Sequence, residues 1–201
     1  IGLSALVSAL MLTVFQAQLT YFLMHGRLWL MVATFAELAL VFVASSMAAK
    51  NSPAALPVFL VYSLLNGFTL SFVVAFYTPG TVLSAFVSSA LLFFVMAAIG
   101  IFTKKDLSGM GRALMAALVG LIIAMVVNLF LANSFFDYMI SIAMVLVFSG
   151  LIAWDNQKIR YAYEQSRGQV ATGWIISMAL SIYLDFINLF LSILRIFGRN
   201  D

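Results

Sequence analysis

Apolar residues run almost without interruption along this chain, in long stretches separated by short clusters of turn-forming and charged residues. A helix needs about 20 predominantly apolar residues to cross the hydrocarbon core of a bilayer. Seven runs meet that requirement: Ile1–Leu23, Leu28–Ala49, Ala54–Tyr77, Val82–Phe102, Ala113–Ala132, Phe135–Trp154 and Ala171–Leu194. Between them lie His25-Gly26-Arg27, Lys50-Asn51-Ser52-Pro53, Thr78-Pro79-Gly80, the segment Thr103 to Arg112, and Asn133-Ser134, all turn or charge clusters. Barrel strands are excluded, because the runs are about twice a strand's length and do not alternate. The pattern predicts one all-α integral membrane domain with seven transmembrane helices over residues 1–201. The first run starts at once with Ile1, with no initiator Met or basic leader, and reads as a helix whose start is missing. A signal peptide would have a much shorter apolar part.

Composition sharpens this picture. Of 201 residues, 65% are hydrophobic and 8% charged, too few charges to cover a soluble globule of this size. The absence of Cys excludes disulfides, thiol catalysis and Cys-ligated metals. A single His, His25, cannot supply a multi-histidine metal site. The net charge of +3 comes from cations at the ends of apolar runs, which form no basic face for nucleic acid. Those cations instead predict topology, since Lys and Arg favour cytoplasmic loops. Lys50, then Lys104, Lys105 and Arg112, then Lys158, Arg160 and Arg167 fall in the second, fourth and sixth loops, against Arg27, Arg195 and Arg199 on the other side. Loops 2–3, 4–5 and 6–7 are therefore expected in the cytoplasm. Seven complete spans put the N-terminus inside and the C-terminus outside; a re-entrant last helix would return the C-terminus to the cytoplasm.

Charges within a bilayer are costly, so they face a bundle interior and mark a pathway, a relay or a structural pair. Glu37 lies mid-way along the second run, with Thr34 one turn back on nearly the same face. Asp155 follows Trp154 at the end of the sixth run, and Asp185 is central in the seventh. Asp137, at the outer mouth of the sixth, is read as solvated. On the seventh run Ser177, Ser181, Asp185, Asn188, Ser192, Arg195 and Arg199 fall within an arc of about 80° at 100° per residue. A polar stripe of that length cannot face lipid, so this helix is expected to be surrounded by others or to line a hydrated path. Its serines are read first as hydrogen-bonding neighbours. If Asp155 and Asp185 meet, burial and like charge disfavour double ionisation, and the pair can hold one proton as a pH switch.

At these residues the chain resembles the Bax inhibitor-1 family, also called transmembrane Bax inhibitor motif or lifeguard proteins, and its bacterial members in particular. The resemblance is carried by Leu64-Leu65-Asn66-Gly67-Phe68-Thr69-Leu70-Ser71, by Lys104-Lys105-Asp106-Leu107-Ser108, by Trp154-Asp155-Asn156-Gln157-Lys158-Ile159, and by Ser181-Ile182-Tyr183-Leu184-Asp185-Phe186-Ile187-Asn188-Leu189-Phe190. It implies a seven-helix fold with the C-terminal helix enclosed by the other six, in a bacterial cell membrane, and a pH-sensitive passive calcium leak gated by Asp155 and Asp185. It also implies a basic latch on Asp155. The position eleven residues after Glu37, where relatives have Arg, is Ala48, so Lys50 is the basic residue expected to substitute.

Two function classes follow. The first is an ion leak with Asp155 and Asp185 as sensor and gate and Glu37, Asn188 and Ser181 along the path. Ca²⁺ would be the transported ion, held weakly and transiently by Asp155, Asp185 and Glu37, since a tight site needs six to eight oxygens. The second is a membrane interaction protein that modulates other membrane proteins such as a membrane protease; no loop identifies a partner. An enzyme is not expected. The Tyr-Asp and Gly-x-Gly-Asp motifs of intramembrane aspartyl proteases are absent, and so are the His ligands of zinc hydrolases. No cofactor is expected.

Overall fold

The computed structural model describes residues 1–200, apart from the side chains of residues 27–30 and 200. The charge of Arg27, counted above on the outer side, thus lies outside the described side chains. Among the described residues the fold is all helical: α1 (Gly2–Thr13), α2 (Gln16–His25), α3 (Arg27–Ala49), α4 (Ala55–Val74), α5 (Pro79–Phe102), α6 (Ser108–Leu131), α7 (Ser134–Gln165) and α8 (Thr172–Phe197). Six helices, α3 to α8, are long and apolar enough to cross a membrane. Their surfaces carry large apolar side chains that water would not tolerate, among them Phe42, Phe94, Leu129 and Phe130. The α8 segment differs, because no residue from Leu180 to Ile196 is exposed.

The first expected span is broken in two. Its residues form α1 and α2, bent by 87° at Val14–Phe15. The Thr13 hydroxyl donates back to the Ala9 carbonyl, a bond that loosens a helix, and the Phe15 N–H reaches five residues back to Leu10. The sixth expected span is corrected at its other end. It was expected to stop at Trp154, yet α7 continues to Gln165. The residues after Trp154 are polar but good helix formers, so polarity marks the exit from the apolar layer and not the end of the helix.

The chain forms two compact units, Ile1–Tyr77 with Ala171–Leu180, and Thr78–Val170 with the chain from Ser181. In the first, α1 crosses α4 where Gly67 meets the Ser4 backbone, and the Ser4 hydroxyl donates to the Ser63 carbonyl at 2.8 Å. The start of α8 closes the same unit. Gly173 lies against Ala48, and its N–H donates to Asn51 Oδ1 at 2.7 Å.

The second unit is built on α7. A Cβ at Gly100 of α5 would lie 2.1 Å from the Ala153 carbonyl oxygen, and one at Gly111 of α6 would lie 2.2 Å from the Trp154 ring. Small residues allow such backbone approach, which is how membrane helices gain packing energy without a hydrophobic drive. Within this unit α8 touches three helices. Phe186 packs edge-on against Phe86 and Phe93 of α5, Arg195 approaches Met125 of α6, and Ser181 bonds to α7.

Candidate functional site

The site forms where α7 and α8 bring polar side chains into the apolar second unit. Asp155 is 3% exposed and Asp185 7%. Ser181 donates its hydroxyl to Asp155 Oδ2. The other oxygen, Oδ1, lies 3.7 Å from Lys158 Nζ, one turn further along α7. Asp185 stands one turn after Ser181 on α8. Its Oδ2 is buried with no hydrogen-bond partner. The hydrogen bond from α8 to Asp155 comes from Ser181.

The other residues singled out in the sequence are placed as follows. Glu37, half-buried in the first unit, is held by side-chain hydrogen bonds from Thr69 and Asn66 of α4. Asn188 donates its side-chain amide to the Leu184 carbonyl at 2.8 Å, within its own helix. Ser192 likewise donates to the Asn188 carbonyl. Lys50 is exposed at the C-terminus of α3 in the first unit, while the cation at Asp155 is Lys158. No group of three or more His, Cys, Asp or Glu side chains able to hold a metal ion occurs among the described residues.

Three polar residues past Trp154, in the segment that the apolar pattern assigns to the sixth loop, belong to the helix. Gln157 is fully buried, accepts from the Leu107 N–H at 2.8 Å and donates to the Lys105 carbonyl at 2.8 Å. Arg160 donates to the Ile101 and Thr103 carbonyls, covering the C-terminal end of α5, where positive charge is favoured. Lys158 completes the set. The signal for them was present in the sequence, since Ile159 and Ala162 continue the helical period of the sixth run past Asp155.

Gln157→Ala should destabilise the protein by about 2 kcal/mol, because it strands a buried donor and a buried acceptor. Thermal unfolding in detergent checks this, and Gln157→Glu, which keeps only the acceptor, should fall between. Between the two loop residues that Gln157 holds, Asp106 Oδ1 accepts from the Ser108 N–H at 2.9 Å. The hydroxyl and N–H of Ser108 hold the Asp106 carboxyl below the usual range. A lowered folded-state pKa adds stability that is present above the ordinary aspartate range and lost as the pH falls through the folded value. Asp106→Ala should therefore weaken the start of α6 at neutral pH and change nothing in strong acid, measurable by amide exchange of residues 108–111.

The profile of the family described as inhibitor of apoptosis-promoting Bax1 matches residues 1–201, the full length. The chain belongs to the Bax inhibitor-1 family. Similar family proteins include an uncharacterized membrane protein of Streptococcus pyogenes serotype M1, 55% identical over all of this chain and 88% of the relative. The protein YrjE of Lactococcus lactis is 48% identical over 97% of this chain and 83% of its own length. The inner membrane protein YbhL of Escherichia coli K12 is 40% identical over 88% of this chain and 77% of its own. With its apolar helices, membership of this family makes the chain a membrane protein embedded in a lipid bilayer.

Proposed function

We propose that this Bax inhibitor-1 family protein is a passive, pH-sensitive calcium leak, gated by Asp155 and Asp185. The observation that carries the reading is a pair of buried carboxylates on α7 and α8, Asp155 bonded by Ser181 one turn before Asp185, and Asp185 with an oxygen that accepts no hydrogen bond. A carboxylate so placed is expensive to keep and does no packing work that Asn could not do. One proton shared by the two groups leaves a single negative charge to attract a cation. The Ser181 hydroxyl sits on Asp155 and transmits changes at one carboxylate to the turn that bears the other.

In this reading α1 and α2 together count as one broken span, giving seven, and α8 runs inside the other helices. Its burial from Leu180 to Ile196 supports that. The loops rich in Lys and Arg face the cytoplasm. Ca²⁺ is cargo, held briefly by Asp155 and Asp185 and at a second point by Glu37, and there is no catalysis.

Purified protein reconstituted into liposomes loaded with a calcium dye should admit Ca²⁺ at a rate that changes through neutral pH. No flux at any pH would remove the leak reading and favour the interaction protein. Glu37→Gln should slow the flux several-fold, about 1 kcal/mol in barrier height, because it replaces the charge held by Thr69 and Asn66 with a neutral amide. An unchanged rate and pH profile would take Glu37 out of the path.

A further inference from the structure

The cation closest to Asp155 is the protein's own, and it is held from two sides. Lys158 Nζ lies 3.7 Å from Asp155 Oδ1 and 4.8 Å from the centroid of the Trp154 ring. That ring is fixed in turn, because it rests on α6 at Gly111, where a Cβ would lie 2.2 Å from it. The side chain of Lys158 is 40% exposed and that of Asp155 4%, so the ammonium stands between a buried carboxylate and solvent. The remaining cations of this unit with described contacts are engaged elsewhere. Arg160 covers carbonyls of α5, Arg195 approaches Met125, and Arg199 lies over the Tyr138 ring. From α8, Ser181 is the neutral donor to this pair, and Asp185 is the charged group one turn further along.

We propose that Lys158 is a selectivity element: a tethered monovalent cation that any ion must displace from Asp155, and that only a multiply charged ion displaces effectively. The inference rests on the leak reading for its biological meaning, and on the ion pair itself for its physics. A tethered partner competes at an effective concentration set by its tether, of millimolar order or more for short links. At the same distance free Na⁺ or K⁺ gains no more Coulomb energy from the carboxylate than the ammonium it removes, and loses translational freedom besides. A divalent ion gains about twice as much at the same distance. The Trp154 face gives the displaced ammonium a place to stay within reach, since a cation over an indole ring is itself stabilised. The ammonium then returns when the ion leaves.

The position of Trp154 supplies the test. Terbium(III) stands in for Ca²⁺ and luminesces when excited through a nearby indole, so the full-length protein in detergent, with Trp29→Phe and Trp174→Phe, reports an ion at Asp155. The signal should be lost in Asp155→Asn. It should be displaced by Ca²⁺ and insensitive to Na⁺ in the parent. Lys158→Met should lower the half-saturating terbium concentration about tenfold and make the signal sensitive to Na⁺, whereas Lys158→Arg should behave as the parent. An unchanged half-saturation and Na⁺ response in Lys158→Met would overturn the proposal, as would the absence of any indole-sensitised signal. Liposome flux separates the two readings. A Lys158-dependent terbium response without flux would sink the leak and leave the competition standing; flux with a Lys158-independent response would do the reverse.

Discussion

Asp155→Asn and Asp185→Asn should each flatten the pH dependence of calcium flux, and the double variant should add little to either. In the proposed gate the two carboxylates serve one switch, so deleting either ends it. Loss of the shared proton places two negative charges in a poorly solvated region. Gain of a second removes the charge that attracts a cation or holds Lys158. If the open and closed states differ by one unit in the pair's proton affinity, crossing the transition changes their ratio about tenfold, equivalent to about 1.4 kcal/mol. The parent should therefore change its rate by about that factor through neutral pH, and each single variant by less than about twofold. Full parental pH dependence in both single variants would eliminate the pair as the sensor. Liposome flux from acid to alkaline pH decides it.

The largest effect on stability should come from Gly100→Ala. A single methyl there meets the Ala153 carbonyl oxygen at 2.1 Å and its carbon at 2.8 Å, and both are backbone atoms of a helix that cannot rotate away. Relief requires α5 and α7 to separate along their contact, so a cost of about 3 kcal/mol or more is expected, at the upper end for overpacking. Gly120→Ala is the matched control. It is in α6 with nothing within 4 Å of the added methyl, and should be neutral or slightly stabilising. Thermal unfolding of the two variants in the same detergent should separate them clearly. Equal melting temperatures would mean that the α5–α7 contact is not tight in solution.

The sequence located the apolar helices well because lipid imposes a length and a composition that few other constraints mimic. From α3 to α6 the observed helices begin and end within about five residues of the apolar runs, ordinary precision for helix ends. It failed where the backbone and the apolar layer part company. Thr13-Val14-Phe15 are as apolar as their neighbours, so hydropathy cannot register an 87° bend whose cause is local hydrogen bonding. Beyond Trp154 the reverse holds, as polar residues end the apolar layer while the helix continues. Asp155 and Asp185 were visible because ionisable groups in such runs are rare. Lys158, Gln157 and Arg160 were hidden among ordinary loop-type residues, and only the helical period continued by Ile159 and Ala162 marks the segment that carries them.

The length of α7 has a mechanical consequence. Its 32 residues make a rod of about 48 Å, against a hydrocarbon core of roughly 30 Å. The part from Asp155 to Gln165 is a stiff handle joined without a break to the carboxylate at its base. A force or a bound partner acting on the exposed tip at Glu164 and Gln165 is delivered to Asp155 as rotation or tilt, with Gln157 and Arg160 as the fulcrum where the rod is fastened to the neighbouring loop. A probe attached at the tip would therefore read the motion of a buried group from outside the bilayer.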